Sequence, residues 1–135
     1  MKMKIIILWM LKIAAAIILL QTLLFKFTGS KESVELFTNL VGKDYEAVMR
    51  ITTGILELMV SILLLIPSTT IIGAILGMGI MAGAIFSHLL VIGIESQGDG
   101  GQLFTFAIIV FICCLIISFL TKEQGSRLYK RLLKK

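Results

Sequence analysis

Seven polar or charged side chains sit within or at the edges of otherwise apolar stretches: Gln21, Lys26, Arg50, Glu57, His88, Glu95 and Asp99. Such groups are costly in hydrocarbon, so each needs a partner, water or a task. A carboxylate beside an imidazole or a base can pass a proton, or hydrogen-bond the head group of an amphipathic small molecule. The spacing points to a joint role. Arg50, Gly54, Glu57 and Ser61 follow the i, i+4, i+7 rule of one helical face, as do Ala84, His88, Val91 and Glu95. These seven residues are the candidate ligand-binding set. The competing reading is a clamp, in which buried ion pairs and hydrogen bonds fix helix register with no ligand.

The elements that must carry these residues are four apolar stretches, Ile5 to Phe25, Ile51 to Ile66, Ile71 to Ile94 and Leu103 to Leu120. Segments of about 17–25 apolar residues satisfy their own backbone only as membrane-spanning helices. The chain is 58% hydrophobic with a mean hydropathy of +1.03, too apolar for a wetted surface on 135 residues. The expected fold is all-α, an integral membrane four-helix bundle forming a single domain over 1–135. Its spans fall at about 5–25, 48–66, 71–94 and 103–120, followed by a basic tail over 121–135. Asp44 is expected to cap the second span through Tyr45, Glu46 and Arg50, and Pro67 to end it, making a tight hairpin with the third.

Between the first two spans, Lys31 to Val41 places Val34, Phe37, Leu40 and Val41 on one face, before Gly42. This predicts a short interfacial amphipathic helix; a connection resting on lipid is favoured over a lid across the bundle mouth. Lys2 and Lys4 precede the first span, and Lys122, Arg127, Lys130, Arg131, Lys134 and Lys135 follow the fourth. Both termini are therefore expected in the cytoplasm, with the chain a multi-pass protein of the cell membrane. Met1 to Leu20 resembles a signal peptide but lacks a small-residue cleavage site, so it is expected to remain as the first span. On that topology Glu57 and His88 each lie about 9 Å in from the outer ends of their helices, with Gln21 at similar depth. Glu57 is expected near His88, Lys26 or Arg50, sharing one outer polar cavity with His88.

The net charge of +5 does not indicate nucleic acid, because the bases adjoin a membrane helix without interleaved aromatic residues. Anionic lipid headgroups explain them better. Lys12, alone in the inner half of the first span, is expected to snorkel to the surface. Gly73 and Gly77, and again Gly79 and Gly83, allow close helix approach on the third span. Packing within the bundle is favoured over a seam between copies, and a homo-oligomer stays open. Cys113 and Cys114 are adjacent, about 100° apart on a helix, and read as small buried hydrophobes. One histidine and scattered methionines give no metal-ligand spacing, so no metal is expected.

Several short motifs then occur in a telling order. The first span ends in Lys26-Phe27-Thr28-Gly29, and the second opens with Arg50-x-x-x-Gly54-x-x-Glu57 and ends at Pro67. The third runs Gly83-Ala84-Ile85-Phe86-Ser87-His88 towards Asp99-Gly100-Gly101-x-Leu103-Phe104. This pattern resembles the DoxX family of small bacterial membrane proteins over nearly the whole chain; the basic tail and the Cys113-Cys114 pair lie outside it. The matching positions are Lys26, Gly29, Arg50, Gly54, Glu57, His88, Asp99 and Gly101, none of them assigned as catalytic.

The resemblance implies a four-helix bundle with a loose tie to redox chemistry, including a subunit of a thiosulfate:quinone oxidoreductase and accessory proteins of membrane oxidoreductase complexes. Two roles follow as expectations. One is a non-catalytic subunit that holds a quinone-like molecule or lipid in the outer polar pocket, any redox centre belonging to a partner protein. The other is an assembly or chaperone-like scaffold for other membrane proteins, whose polar cluster is structural. No intrinsic cofactor and no self-contained catalytic motif is expected under either.

Overall fold

A computed structural model describes residues 2–134. Helix α1 spans Lys2–Thr28, α2 Lys31–Val41, α3 Glu46–Leu65, α4 Thr70–Ser87, α5 Gln102–Leu120 and α6 Lys122–Leu133. A π turn, His88–Ile92, prolongs α4, and its signature is the bond from the Gly93 amide to the His88 carbonyl at 2.7 Å. Four of these helices are long and apolar enough to cross a membrane: α1, α3, α4 with its π turn, and α5. They alternate in direction and form a ring in which α1 packs on α3 and α5, and α4 packs on the same two. We refer to the end carrying α2 and the 93–101 loop as the lid end, and to the end carrying the α3–α4 connection and α6 as the hairpin end.

The boundaries follow from local chemistry. Gly29 takes φ +66° to end α1, and Ser30 caps α2 by accepting a hydrogen bond from the Ser33 amide. At the hairpin, Ile66 is extended before Pro67, which cannot continue the helix. The Thr69 and Thr70 hydroxyls then donate to the last carbonyls of the helix end, those of Leu63, Leu64 and Ile66. Asp44 does not cap α3: the boundary residue is Tyr45, with no side-chain cap, and Asp44 is exposed. The acid at the start of α3 is Glu46, suited to the positive end of the helix dipole.

The core is a narrow apolar seam of Ala15, Leu19, Val60, Leu64, Ala74, Met81, Val110, Cys114 and Ile117. Many large apolar side chains, such as Ile17, Leu24, Ile75 and Phe119, point outward, as lipid contact requires. Gly73 lies against the backbone of Leu63 and Leu64, and a Cβ at Gly77 would stand 2.7 Å from Cys114 Sγ. These two glycines let α4 approach α3 and α5. Gly79 and Gly83 have nothing within 4 Å and face outward, so the expected packing role does not extend to them.

Two further expectations change. Instead of resting on lipid alone, α2 packs across the lid end against α3 and the π turn, with Phe37 buried and the Gln97 amide donating to the Glu32 carbonyl. Lys12 does not snorkel. It shares the inward face of α1 with Ala15, Ala16 and Leu19, is 2% exposed, and places its ammonium 3.9 Å from the Trp9 ring centroid.

Candidate functional site

The lid-end half of α1 and α3 holds a ladder of charges. Lys26 reaches Glu57 at 2.6 Å, and the same carboxylate oxygen accepts a bond from Thr22, one turn below Lys26 on α1. About two turns above Glu57, Arg50 pairs with Glu46 at 2.5 Å and donates to the Lys26 main-chain carbonyl. That carbonyl is among the last of α1 and has no helical partner, so the guanidinium closes the helix C-terminus as well as bridging two spans. Gly54 lies between the two ion pairs, where a Cβ would stand 2.8 Å from the Phe27 ring. The i, i+4, i+7 spacing of Arg50, Gly54 and Glu57 is thus a set of rungs against one face of α1.

This ladder is closed. Glu57 is 5% and Arg50 9% exposed, and no buried side-chain nitrogen or oxygen among the described residues lacks a partner. The space beside Glu57, lined by Leu19, Val60, Gly77, Ile80 and Met81, has no room for a water-sized molecule. An open apolar groove of about 320 Å³ lies elsewhere, on the outer side of α3 and α4 around Met59, Leu76 and Gly79.

His88 belongs to a second, separate group. Its ring lies 5.7 Å from the Phe104 ring of α5, and Nδ1 is 2.9 Å from the Gly93 carbonyl. A carbonyl only accepts, so Nδ1 carries the proton of this bond, and in that uncharged tautomer Nε2 is the ring's acceptor. Nε2 bonds to no side chain or carbonyl among the described residues, and it is not a sealed unpaired nitrogen. His88 and Glu57 therefore do not occupy one cavity: Glu57 is held from α1, and His88 by its own π turn and α5.

The remaining candidates disperse. Asp99 organises the loop before α5, accepting hydrogen bonds from the amides of Ser96, Gly101 and Leu103. Partial burial would raise its pKa, but the three amide hydrogen bonds outweigh it and hold the carboxyl below its ordinary value. Glu95 is exposed in the same loop, and Gln21 is exposed on the outside of α1. Sequence reasoning missed Thr22, Glu46 and Phe27. Thr22 with Lys26, and Glu46 with Arg50, are i, i+4 pairs that could have been found as such.

Among the described residues no group of three or more His, Cys, Asp or Glu side chains is placed to share a metal ion, and Cys113 and Cys114 are buried free thiols. The comparisons bear on family alone. No curated protein and no solved structure gives a match. Residues 10–119 match the model of the DoxX-like family, in agreement with the motif order at Lys26, Arg50, Glu57, His88 and Asp99. With that match covering most of its length, and all four spans within or overlapping it, the chain belongs to the DoxX-like family of membrane proteins.

Proposed function

We propose that this chain is an accessory, non-catalytic membrane protein that acts as a scaffold or assembly factor for other membrane proteins. The observation that carries this reading is the closure of the charged ladder. Lys26, Arg50, Glu46 and Glu57 are consumed by one another, and the adjoining space is filled. A cluster that sets helix register leaves the protein's outer surface as the part available to partners. In this reading the chain sits in a bacterial inner membrane with both termini cytoplasmic, as the flanking lysines and arginines favour. Labelling of Ser126→Cys from the outside would reverse that orientation, whereas label at Ser33→Cys alone agrees with it.

His88 favours a second reading, association with a membrane redox complex through a quinone-like head group. Its Nε2 is an acceptor beside an aromatic ring, in a π turn of a kind that often marks functional sites. A quinol hydroxyl could donate to it, the electrons passing to a partner. Mild-detergent purification followed by mass spectrometry separates the two readings. The scaffold role predicts a stoichiometric membrane-protein partner and no quinone above bulk membrane content. Stoichiometric quinone that is lost in His88→Gln would replace the first reading by the second.

A further inference from the structure

Four of the basic residues beyond the fourth span, Lys122, Arg127, Lys130 and Arg131, lie on a folded, docked helix, and α6 follows α5 with only Thr121 between them. Gln124 pins it: Oε1 accepts from the Ile71 amide at 3.2 Å, and Nε2 donates to the Pro67 carbonyl. Both partners are free backbone groups at the α3–α4 hairpin, one at a helix start and one in the turn. Gly125 faces the bundle, where a Cβ would meet Ile71 at 3.4 Å, an ordinary contact. The direction of α6 is thus set by the bundle.

Its two faces differ sharply. Arg127, Lys130 and Arg131, at i, i+3 and i+4, share one side and are exposed, and none is in an ion pair among the described residues. Gly125 and Leu128 begin the opposite face against or near the bundle, and it runs on into Tyr129, Leu132 and Leu133, which are 64%, 67% and 68% exposed. A helix of this pattern at the end of a membrane span has its apolar side at the level of the acyl chains and its bases at the level of the phosphates. Guanidinium and ammonium groups in that position donate to phosphodiester oxygens.

We propose that α6 is an anionic-phospholipid binding element, held flat against the membrane surface at the hairpin end by Gln124, with Arg127, Lys130 and Arg131 taking the headgroups. It is independent of whether the bundle serves as scaffold or quinone subunit. The occupant is lipid and not a soluble protein, because charge complementarity and the apolar residues must be met at one level, beside a span.

The test uses the full chain reconstituted in vesicles of phosphatidylcholine alone or mixed with phosphatidylglycerol. A spin label at Leu132→Cys should be shielded from water-soluble relaxation agents and reached by oxygen, while one at Lys130→Cys should not. Spin-labelled phosphatidylglycerol should be selected several-fold over phosphatidylcholine at the protein boundary. The variant Arg127→Gln/Lys130→Gln/Arg131→Gln should bring that selectivity close to unity with unchanged thermal stability, since α6 has no buried residue. Equal water exposure of both labels in every lipid would overturn the proposal and assign the face to a protein partner. Undiminished selectivity in the triple variant would overturn it too.

Discussion

The two ends of the bundle use charge in opposite ways. At the lid end, Glu46, Arg50 and Glu57 are buried and, with the largely covered Lys26, satisfied within the chain, while at the hairpin end the bases of α6 are exposed and in no ion pair among the described residues. The same residue types are structural where a counter-charge stands one helix away, and free for an outside partner where none does. Position in the fold, more than residue identity, separates the clamp from the contact surface.

The largest effect should come from breaking the clamp from one side. Glu57→Ala leaves Lys26 without its carboxylate in a buried setting and should cost about 3 kcal/mol, measured by unfolding in mixed micelles. Lys26→Met with Glu57→Leu together should recover most of that loss. Removing the three α6 bases should change bundle stability by less than about 0.5 kcal/mol, and an equal loss at both ends would erase the contrast.

Next come the glycines, which sharpen the comparison within one helix. Gly77→Leu, driven into Cys114 and Val60, should cost about 1–3 kcal/mol, whereas Gly83→Leu meets open space and should be close to neutral. Equal melting temperatures for the two variants would remove the packing argument.

Asp99→Ala should cost about 1 kcal/mol, the worth of a capping side chain, seen as earlier exchange of the Ser96, Gly101 and Leu103 amides. Because the folded carboxyl titrates below its ordinary 3.8, its stabilisation is fully present above that value. It is lost as pH falls through the depressed folded pKa, so wild type and variant should converge only in acid. The smallest effect is Gln124→Ala, about 0.5–1 kcal/mol confined to α6, visible as faster hydrogen exchange there with the spans unchanged.

The spans were legible because each is a long apolar run, the first three closed by Gly29, Pro67 and Gly93, residues whose backbone preferences act without tertiary context. Lys26 was one of three partners expected for Glu57, beside His88 and Arg50, from the cost of an unpaired charge; matched depth favoured His88, and the sequence alone did not single out Lys26. What a helix apolar all round does not announce is which side faces its neighbours. Gly73 and Gly77 therefore could not be told from Gly79 and Gly83, nor could the inward direction of Lys12 be read without Ala15 and Ala16 fixing the face of α1. His88 was misplaced for another reason. The π turn begins at His88 and takes one residue more per hydrogen-bonded turn than an α-helix, and Gly93 ends it, so the stripe drawn through Ala84 and His88 does not continue to Val91 and Glu95.

The clamp also has a meaning in time. Lys26 and Glu57 lie on α1 and α3, the first two spans to be synthesised, and Arg50 closes on the Lys26 carbonyl from the same pair. A nascent chain that has reached Pro67 already contains every partner in the ladder. Its charges can be neutralised as a two-helix unit before α4 and α5 exist, so the costliest groups to place in lipid are matched by the order of biosynthesis itself.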